Sequence, residues 1–167
     1  MRIRTEKNTD NAAISKVQYA AFKDHPMHQP GTEPVEHTIV ERLRAAGALT
    51  LSLVLEEAGE IVGHIAFSAA SMGATPGDWH LLGPVGILPA HQRKGLGSAL
   101  VGEALRLLRE GGAAGVVLVG DPAFYQRFGF RAVEGLTWPG VPSQYVLALP
   151  LTGVAPQGDI VGHAAFG

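Results

Sequence analysis

Cysteine is absent from this chain, which excludes disulfides, thiolate metal sites and a covalent cysteine intermediate. Charge is also scarce, and 13 Lys and Arg residues against 15 Asp and Glu residues argue against broad electrostatic binding to nucleic acid. No apolar run approaches the roughly 18 residues of a membrane-spanning helix, and the first ten residues are polar, unlike a signal peptide. We therefore expect a cytoplasmic protein with neither a nucleic-acid nor a membrane partner.

The length suits one folding unit. The chain has 167 residues, of which 46% are hydrophobic, so it can bury a substantial core. No internal repeat or separate linker is visible, and we expect residues 1–167 to form a single domain. A monomer and a homodimer are both compatible with the sequence.

Hydrophobic periodicity divides the chain into alternating strands and helices. Strands are predicted at residues 2–5, 51–55, 61–67, 79–88, 116–119, 130–133 and 144–149. Helices are predicted from Thr9 or Asp10 to Phe22, at 34–46, from the Leu96 region to Gly111-Gly112, and after Asp121-Pro122. Residues 70–78 are predicted to be a loop and residues 150–167 a tail.

One stretch, residues 92–98, joins a buried apolar strand to a helix. The first N–H groups of a helix lack intrahelical partners and carry partial positive charge, so this position suits an anion. Gly95 and Gly97 allow a tight turn and a close approach of phosphate, while Arg93 and Lys94 add cationic donors. The stretch predicts a diphosphate-binding loop, although an ordinary strand-to-helix connection is also rich in glycine and basic residues.

Two common glycine motifs do not fit this loop. A Walker A loop needs Gly, four residues and then Gly-Lys-Ser or Gly-Lys-Thr, and no stretch of the chain supplies it. A dinucleotide fingerprint starting at Gly95 needs a third glycine where Leu100 stands. These failures disfavour a nucleotide-binding protein that prefers ATP.

The spacing of Gln92, Gly95 and Gly97 instead resembles the acyl-CoA signature of the GNAT-type N-acetyltransferases, Gln/Arg-x-x-Gly-x-Gly/Ala. A second stretch resembles another signature of that family, a tyrosine four residues before a Gly-Phe pair, here Tyr125 and Gly129-Phe130. The full second stretch, Asp-Pro-x-x-Tyr-x-x-Phe-Gly-Phe, is similar to a small bacterial branch whose substrates are unassigned.

This resemblance implies an α/β fold with a twisted, mostly antiparallel sheet of six or seven strands and helices on both faces. It implies an acyltransferase that moves an acetyl group from acetyl-CoA, its co-substrate, directly to a primary amine of a small molecule or peptide. No metal is implied. The alternative is a non-catalytic acyl-CoA sensor or adaptor with the same fold.

The resemblance also assigns residues to the acyl-CoA site: Val85, Gly86, Ile87, Gln92, Arg93, Lys94, Gly95, Leu96, Gly97 and Ser98. The main chain of the first three residues is expected to bond the acyl carbonyl and the pantetheine arm where the central strand splays from its neighbour. Ordinary pairing within the sheet is the alternative, and Gly86 would then need another reason.

Tyr125 matches the family position of the general acid that protonates the departing thiolate. The role is chemically reasonable because the reference pKa of tyrosine, about 10, lies above that of a thiol. A tyrosine buried in the core, with one satisfied hydroxyl, is the alternative.

No pattern defines the group that takes the proton of the amine. His64 and His80 are candidates, directly or through water, but each also fits a structural histidine with satisfied hydrogen bonds. The resemblance places the acceptor pocket near the histidine-rich and glutamate-rich loop at residues 24–36, where the spacing matches no zinc motif.

Overall fold

The computed structural model describes residues 1–167, with nine strands and four α-helices. The strands are β1 (Arg2–Thr5), β2 (Leu49–Glu57), β3 (Glu60–Met72), β4 (Trp79–Ile87), β5 (Gly115–Val119), β6 (Arg131–Ala132), β7 (Leu136–Thr137), β8 (Val146–Pro150) and β9 (Gly158–Val161). The helices are α1 (Asn11–Phe22), α2 (Glu36–Ala45), α3 (Leu96–Glu110) and α4 (Pro122–Tyr125).

The strands form one mixed sheet, in which the main path runs β1-β2-β3-β4-β5-β8-β6. Within this path only β4 and β5 pair in parallel. The predicted α/β class and mostly antiparallel sheet are confirmed, and the main path has the upper predicted number of strands. β7 and β9 lie off this path and bring the total to nine.

β2 and β3 form a long hairpin between β1 and β4 in the main path. Its turn residues, Ala58 and Gly59, both have positive φ, as a two-residue turn matched to the twist of the strands requires. β3 continues to Met72, so the predicted loop starts at Gly73 and not at residue 70. The extension arises because the end of β3 pairs with β4 and β9, which local sequence does not reveal.

α3 is the longest helix and covers one face of the sheet through an apolar stripe. Its buried residues are Leu96, Leu100, Val101, Ala104, Leu105 and Leu108. Gly111 caps the helix and Gly112, with φ of 80°, leaves it in a left-handed conformation, as the paired glycines predicted. None of the helices combines the length and apolarity that crossing a bilayer requires.

The prediction of a tail at residues 150–167 is wrong. This segment contains β9, which pairs with β3 on one side and with β7 on the other. Ile160 of β9 is buried in a second apolar cluster with Met72, Trp79 and Leu136. β9 is stabilised by pairing with strands distant in sequence, and the local composition does not reveal such pairing.

Candidate active site

β4 and β5 are neighbours for only part of their length. Their parallel pairing runs from Trp79 with Gly115 to Leu81 with Val117, and it stops there. Beyond this point β4 continues to Ile87 with β3 as its only strand neighbour. The predicted separation of the central strands is present, and it opens one edge of β4.

The hydrogen-bond register decides which residues of β4 face the open edge. The Leu88 N–H donates to the Val62 carbonyl at 2.8 Å. Antiparallel neighbours alternate between bonded and non-bonded pairs, so Gly86, two residues earlier, also directs its main-chain groups to β3. Val85 and Ile87 occupy the alternate positions, and their N–H and carbonyl groups therefore point to the open edge.

Only one of these groups has a partner within the protein. The Ile87 carbonyl accepts a hydrogen bond from Gln92 Nε2 at 2.9 Å, which ties the loop after β4 to the strand. The register gives the N–H groups of Val85 and Ile87 no strand partner, and no loop or side-chain hydrogen bond involves them. Two unpartnered donors thus lie along one strand edge, an arrangement suited to binding carbonyl oxygens.

The close approach of α1 explains why position 86 is a glycine. An added Cβ would lie 2.7 Å from Gln18 Oε1 and 2.9 Å from the Ala21 Cβ. The carboxamide of Gln18 is buried, and its Nε2 contacts His64 Nδ1 at 2.7 Å and the Pro84 carbonyl at 3.4 Å. The glycine therefore lets Gln18 reach the sheet where β4 changes register.

The predicted anion-binding loop is a strand-to-helix turn, and α3 begins directly after Gly95, its N-cap. Gly95 has φ of 79°, which glycine adopts without strain. None of the N–H groups of residues 93–98 donates to a protein acceptor, and the first bond of the helix runs from Ala99 to the Gly95 carbonyl. We call residues 93–98 the anion cradle, because their free donors lie at the positive end of the α3 dipole.

Packing within the protein does not account for Gly97. An added Cβ there would meet only the Phe124 ring at 3.8 Å and Ile87 Cγ1 at 3.9 Å, which is ordinary contact. Space beside this glycine therefore remains for a group from outside the chain. Both glycines of the loop fit an anion held against the main chain.

Two adjoining cavities follow the open edge of β4. The larger, about 550 Å³, lies between β4 and the end of α1. The smaller, about 330 Å³, lies over the anion cradle. They share the residues Ile87, Gln92, Gly97 and Phe124, so together they form one cleft from the start of the loop at residues 24–36 to the cradle.

Tyr125 is the last residue of α4, a single turn that starts at Pro122 and has Asp121 as its N-cap. The Asp121 side chain accepts a hydrogen bond from the Ala123 N–H at 2.9 Å. The Tyr125 ring packs against Phe130 and Gly120 and is 9% exposed, and this burial raises the pKa of the hydroxyl to about 12. The hydroxyl has no hydrogen-bond partner in the protein, and the residue lines neither cavity.

The two histidines predicted as candidate bases both have structural partners. His64 is fully buried, with Nδ1 near Gln18 and Nε2 2.8 Å from Ser52 Oγ. His80 is held between Thr50 and Asp78, at 2.9 and 3.0 Å. Neither lines the cleft.

The loop at residues 24–36 lies at the outer end of the larger cavity. His25 lines that cavity, and burial followed by the neighbouring His28 lowers the pKa of its imidazole, which favours the neutral form. His28 contacts Glu36 at 3.1 Å, and Glu33 is engaged by Lys23 at 2.9 Å. No group of three or more His, Asp or Glu side chains is placed to hold a metal ion.

Two polar side chains near the cleft were not predicted. Gln18 occupies the position four residues after Ile14 on the buried stripe of α1, and a polar residue at an apolar position was the available signal. Arg127 lines the smaller cavity and lies two residues after Tyr125. The sequence feature that could have indicated Arg127 was the presence of a basic residue within the second motif.

A model of the family described as acetyltransferase (GNAT) family matches residues 16–130. The chain is 36% identical over 150 residues to the Escherichia coli K12 protein named uncharacterized N-acetyltransferase YhbS, covering 87% of this chain and 84% of that protein.

Solved structures give the same likeness. A GNAT family acetyltransferase from Brucella melitensis, in complex with acetyl-CoA, superposes with a TM-score of 0.85 and 44% identity, covering 99% of this chain and 97% of that one. The structure of Escherichia coli YhbS in complex with CoA superposes with a TM-score of 0.84 and 30% identity, covering 99% and 91%.

Proposed function

The chain belongs to the acetyltransferase (GNAT) family, and we propose that it transfers an acetyl group from acetyl-CoA directly to a primary amine of a small molecule or peptide. One observation carries this proposal. The unpartnered N–H groups of the anion cradle and those of Val85 and Ile87 border the same cleft. We further propose that residues 1–167 act as one catalytic domain.

The cradle supports binding of the diphosphate of acetyl-CoA. Its N–H groups, from Arg93 to Ser98 and including Lys94 and Leu96, are fixed by the backbone and need no reorganisation when an anion arrives. Gln92 contributes indirectly by fixing the Ile87 carbonyl, while the Ile87 N–H stays available for the substrate.

The open edge of β4 supports polarisation of the thioester carbonyl, which acetyl-CoA supplies. Negative charge develops on that oxygen as the amine attacks, and N–H donors such as those of Val85 and Ile87 stabilise it. Gly86 serves this geometry by permitting α1 to pack tightly behind the strand.

We assign the general acid to Tyr125. A new C–N bond forms as the C–S bond breaks, and the departing thiolate takes the proton of the tyrosine hydroxyl. The surplus proton of the attacking amine passes to solvent, and solvent returns a proton to the tyrosine. The pKa of about 12 keeps that hydroxyl protonated near neutral pH, and it has no competing hydrogen bond within the protein. The amine enters through the larger cavity, beside the end of α1 and His25.

The first test is calorimetric titration of acetyl-CoA, CoA and ATP into the protein and into Gly97→Glu. The added Cβ makes only ordinary contacts and the carboxylate brings negative charge to the cradle, so we expect the variant to abolish binding of both CoA species. Gly102→Glu is the matched control, because Gly102 is exposed on the same helix with nothing near its added Cβ. Loss of binding in both variants, or no CoA binding by the parent chain, would contradict the proposal.

Turnover is tested separately by measuring free CoA released with a panel of primary amines. Release that requires an amine supports the enzyme. Tight CoA binding without release for any amine in the panel would favour an acyl-CoA sensor instead.

A further inference from the structure

Arg127 is held in one conformation by three contacts. Its Nε donates to the Phe124 carbonyl at 2.8 Å, and its Nη1 donates to Ser98 Oγ at 3.3 Å. Its Cζ lies 4.6 Å from the centre of the Phe124 ring, within the range of a cation–π contact. An exposed arginine usually loses considerable rotamer freedom when it binds a ligand, and these contacts have already removed much of it.

The surroundings of Arg127 leave its charge uncompensated. It makes no ion pair with any carboxylate of the chain. The smaller cavity, which it lines together with Arg93, contains no Asp or Glu. The cations of Arg127 and Arg93, with no anion beside them, make this cavity electropositive, so it attracts a negatively charged group.

The contact with Ser98 relates the guanidinium to the anion cradle. Ser98 lies in the first turn of α3, and its own N–H is one of the unpartnered cradle donors. Nη2 of Arg127 has no protein partner, so it remains free to donate. Guanidinium groups bind phosphate oxygens through two N–H groups, which a backbone amide alone cannot do.

We propose that Arg127 is a further CoA-binding residue, whose guanidinium contacts the diphosphate of acetyl-CoA beside the anion cradle. The inference rests on the proposed function, since it takes CoA as the ligand of the cleft. Phe124 has a supporting role, because its carbonyl and its ring both hold the guanidinium while the ring lines both cavities.

The test is calorimetric titration of CoA and of dephospho-CoA, which lacks the 3′-phosphate, into the parent chain and three variants. Arg127→Ala should weaken both ligands about tenfold, the cost of one charged hydrogen bond. Arg127→Lys should be intermediate, since it keeps the charge but not the planar fork. Arg109→Ala is the control, because it removes one exposed, unpaired cation roughly 17 Å further along α3 and should bind like the parent.

The outcomes separate the alternatives. If Arg127→Ala binds CoA as tightly as Arg109→Ala, the inference is wrong. If the loss seen with CoA disappears with dephospho-CoA, the guanidinium contacts the 3′-phosphate and the diphosphate assignment is overturned. Failure of the parent chain to bind either ligand would instead overturn the proposed function, and this inference with it.

Discussion

Tyr125 combines a raised pKa with an unpartnered hydroxyl, and burial alone accounts for the raised value of about 12. A group with these properties keeps its proton at neutral pH. A departing thiolate beside the ring would accept that proton in a transfer driven by the breaking of the C–S bond, because the pKa of this tyrosine lies above that of a thiol. The residue is therefore suited to giving up its proton late in the reaction.

The variant Tyr125→Phe removes this proton and keeps the buried ring. We expect kcat for CoA release to fall about 100-fold, the lower range for loss of a general acid, with acetyl-CoA affinity nearly unchanged. Steady-state kinetics with a saturating amine, together with calorimetry, measure the two effects. Equal losses in affinity and kcat, or an unchanged kcat, would rule out the acid role.

Gly86 and Gly97 show how far the role of a single residue can be predicted from the sequence. The predicted contact of the Gly86 main chain with a ligand is wrong, because Gly86 pairs with β3 and is packed against α1. The close approach of a phosphate at Gly97 stays a prediction. The partner at Gly86 is Gln18, from a helix more than sixty residues earlier in the chain. Such a contact follows from tertiary packing, and no spacing rule in the sequence describes it.

Elements with strong local signals were predicted well. α3 has an apolar stripe and a glycine stop, and the β2–β3 hairpin has a two-residue turn with positive φ at both positions. β7 and β9 have only two and four residues, and they exist because β9 pairs with β3 and β7. The site followed the same division: the cradle was predicted from local glycines, whereas the place of Arg127 depends on how α4 lies against α3.

α4 is the element on which the proposed acid, Tyr125, depends, and it is only four residues long. So short a helix gains little from its own hydrogen bonds, and its position relies on the Asp121 cap and on the packing of Tyr125.

We therefore expect Asp121→Ala to lower the unfolding free energy by about 1 kcal/mol and to reduce kcat more than acetyl-CoA affinity. Asn caps helices as well as Asp does, so Asp121→Asn should keep both quantities near those of the parent. Urea unfolding and CoA-release kinetics provide the measurements. If the Asn and Ala variants behave alike, stability and kcat depend on the negative charge of Asp121 and not on its hydrogen bond as a helix cap.

A buried polar network joins the elements behind the active cleft. Gln18 Nε2 donates to His64 Nδ1, so the neutral imidazole carries its proton on Nε2 and donates to Ser52 Oγ at 2.8 Å. Ser52 in turn donates to Glu6, which also forms two 2.9 Å hydrogen bonds with Arg44. α1, α2, β2 and β3 are thereby connected through one directed chain of hydrogen bonds.

The protonation of this network links pH to the stability of the whole molecule. Burial lowers the pKa of His64 below its ordinary value of 6.5. Burial alone would raise the pKa of Glu6, but His64, 3.8 Å away, and the hydrogen bonds from Arg44 and Ser52 outweigh this and lower the pKa far below 4.5. In both cases the unfolded chain binds a proton that the native protein does not, so stability falls as pH falls, first below about 6.5 and then below about 4.5.

The substitution His64→Gln isolates the first of these steps. Glutamine can also accept from Gln18 and donate to Ser52 but does not titrate, so the fall in unfolding free energy between pH 6.5 and 5 should become shallower. A proton that the unfolded chain binds and the native protein does not bind changes the unfolding free energy by about 1.4 kcal/mol per pH unit. This value is the upper limit of the change in slope. Urea unfolding across this range gives the slope directly.

His91→Gln is the control for that measurement, because His91 has no side-chain hydrogen bond and no place in the network, and its slope should match the parent. The pKa of His25 is also lowered by burial, so part of the slope should persist in His64→Gln. An undiminished slope in His64→Gln would mean that His64 does not govern acid stability. In that case His25, which lines the larger cavity, would be the histidine through which pH acts on the fold.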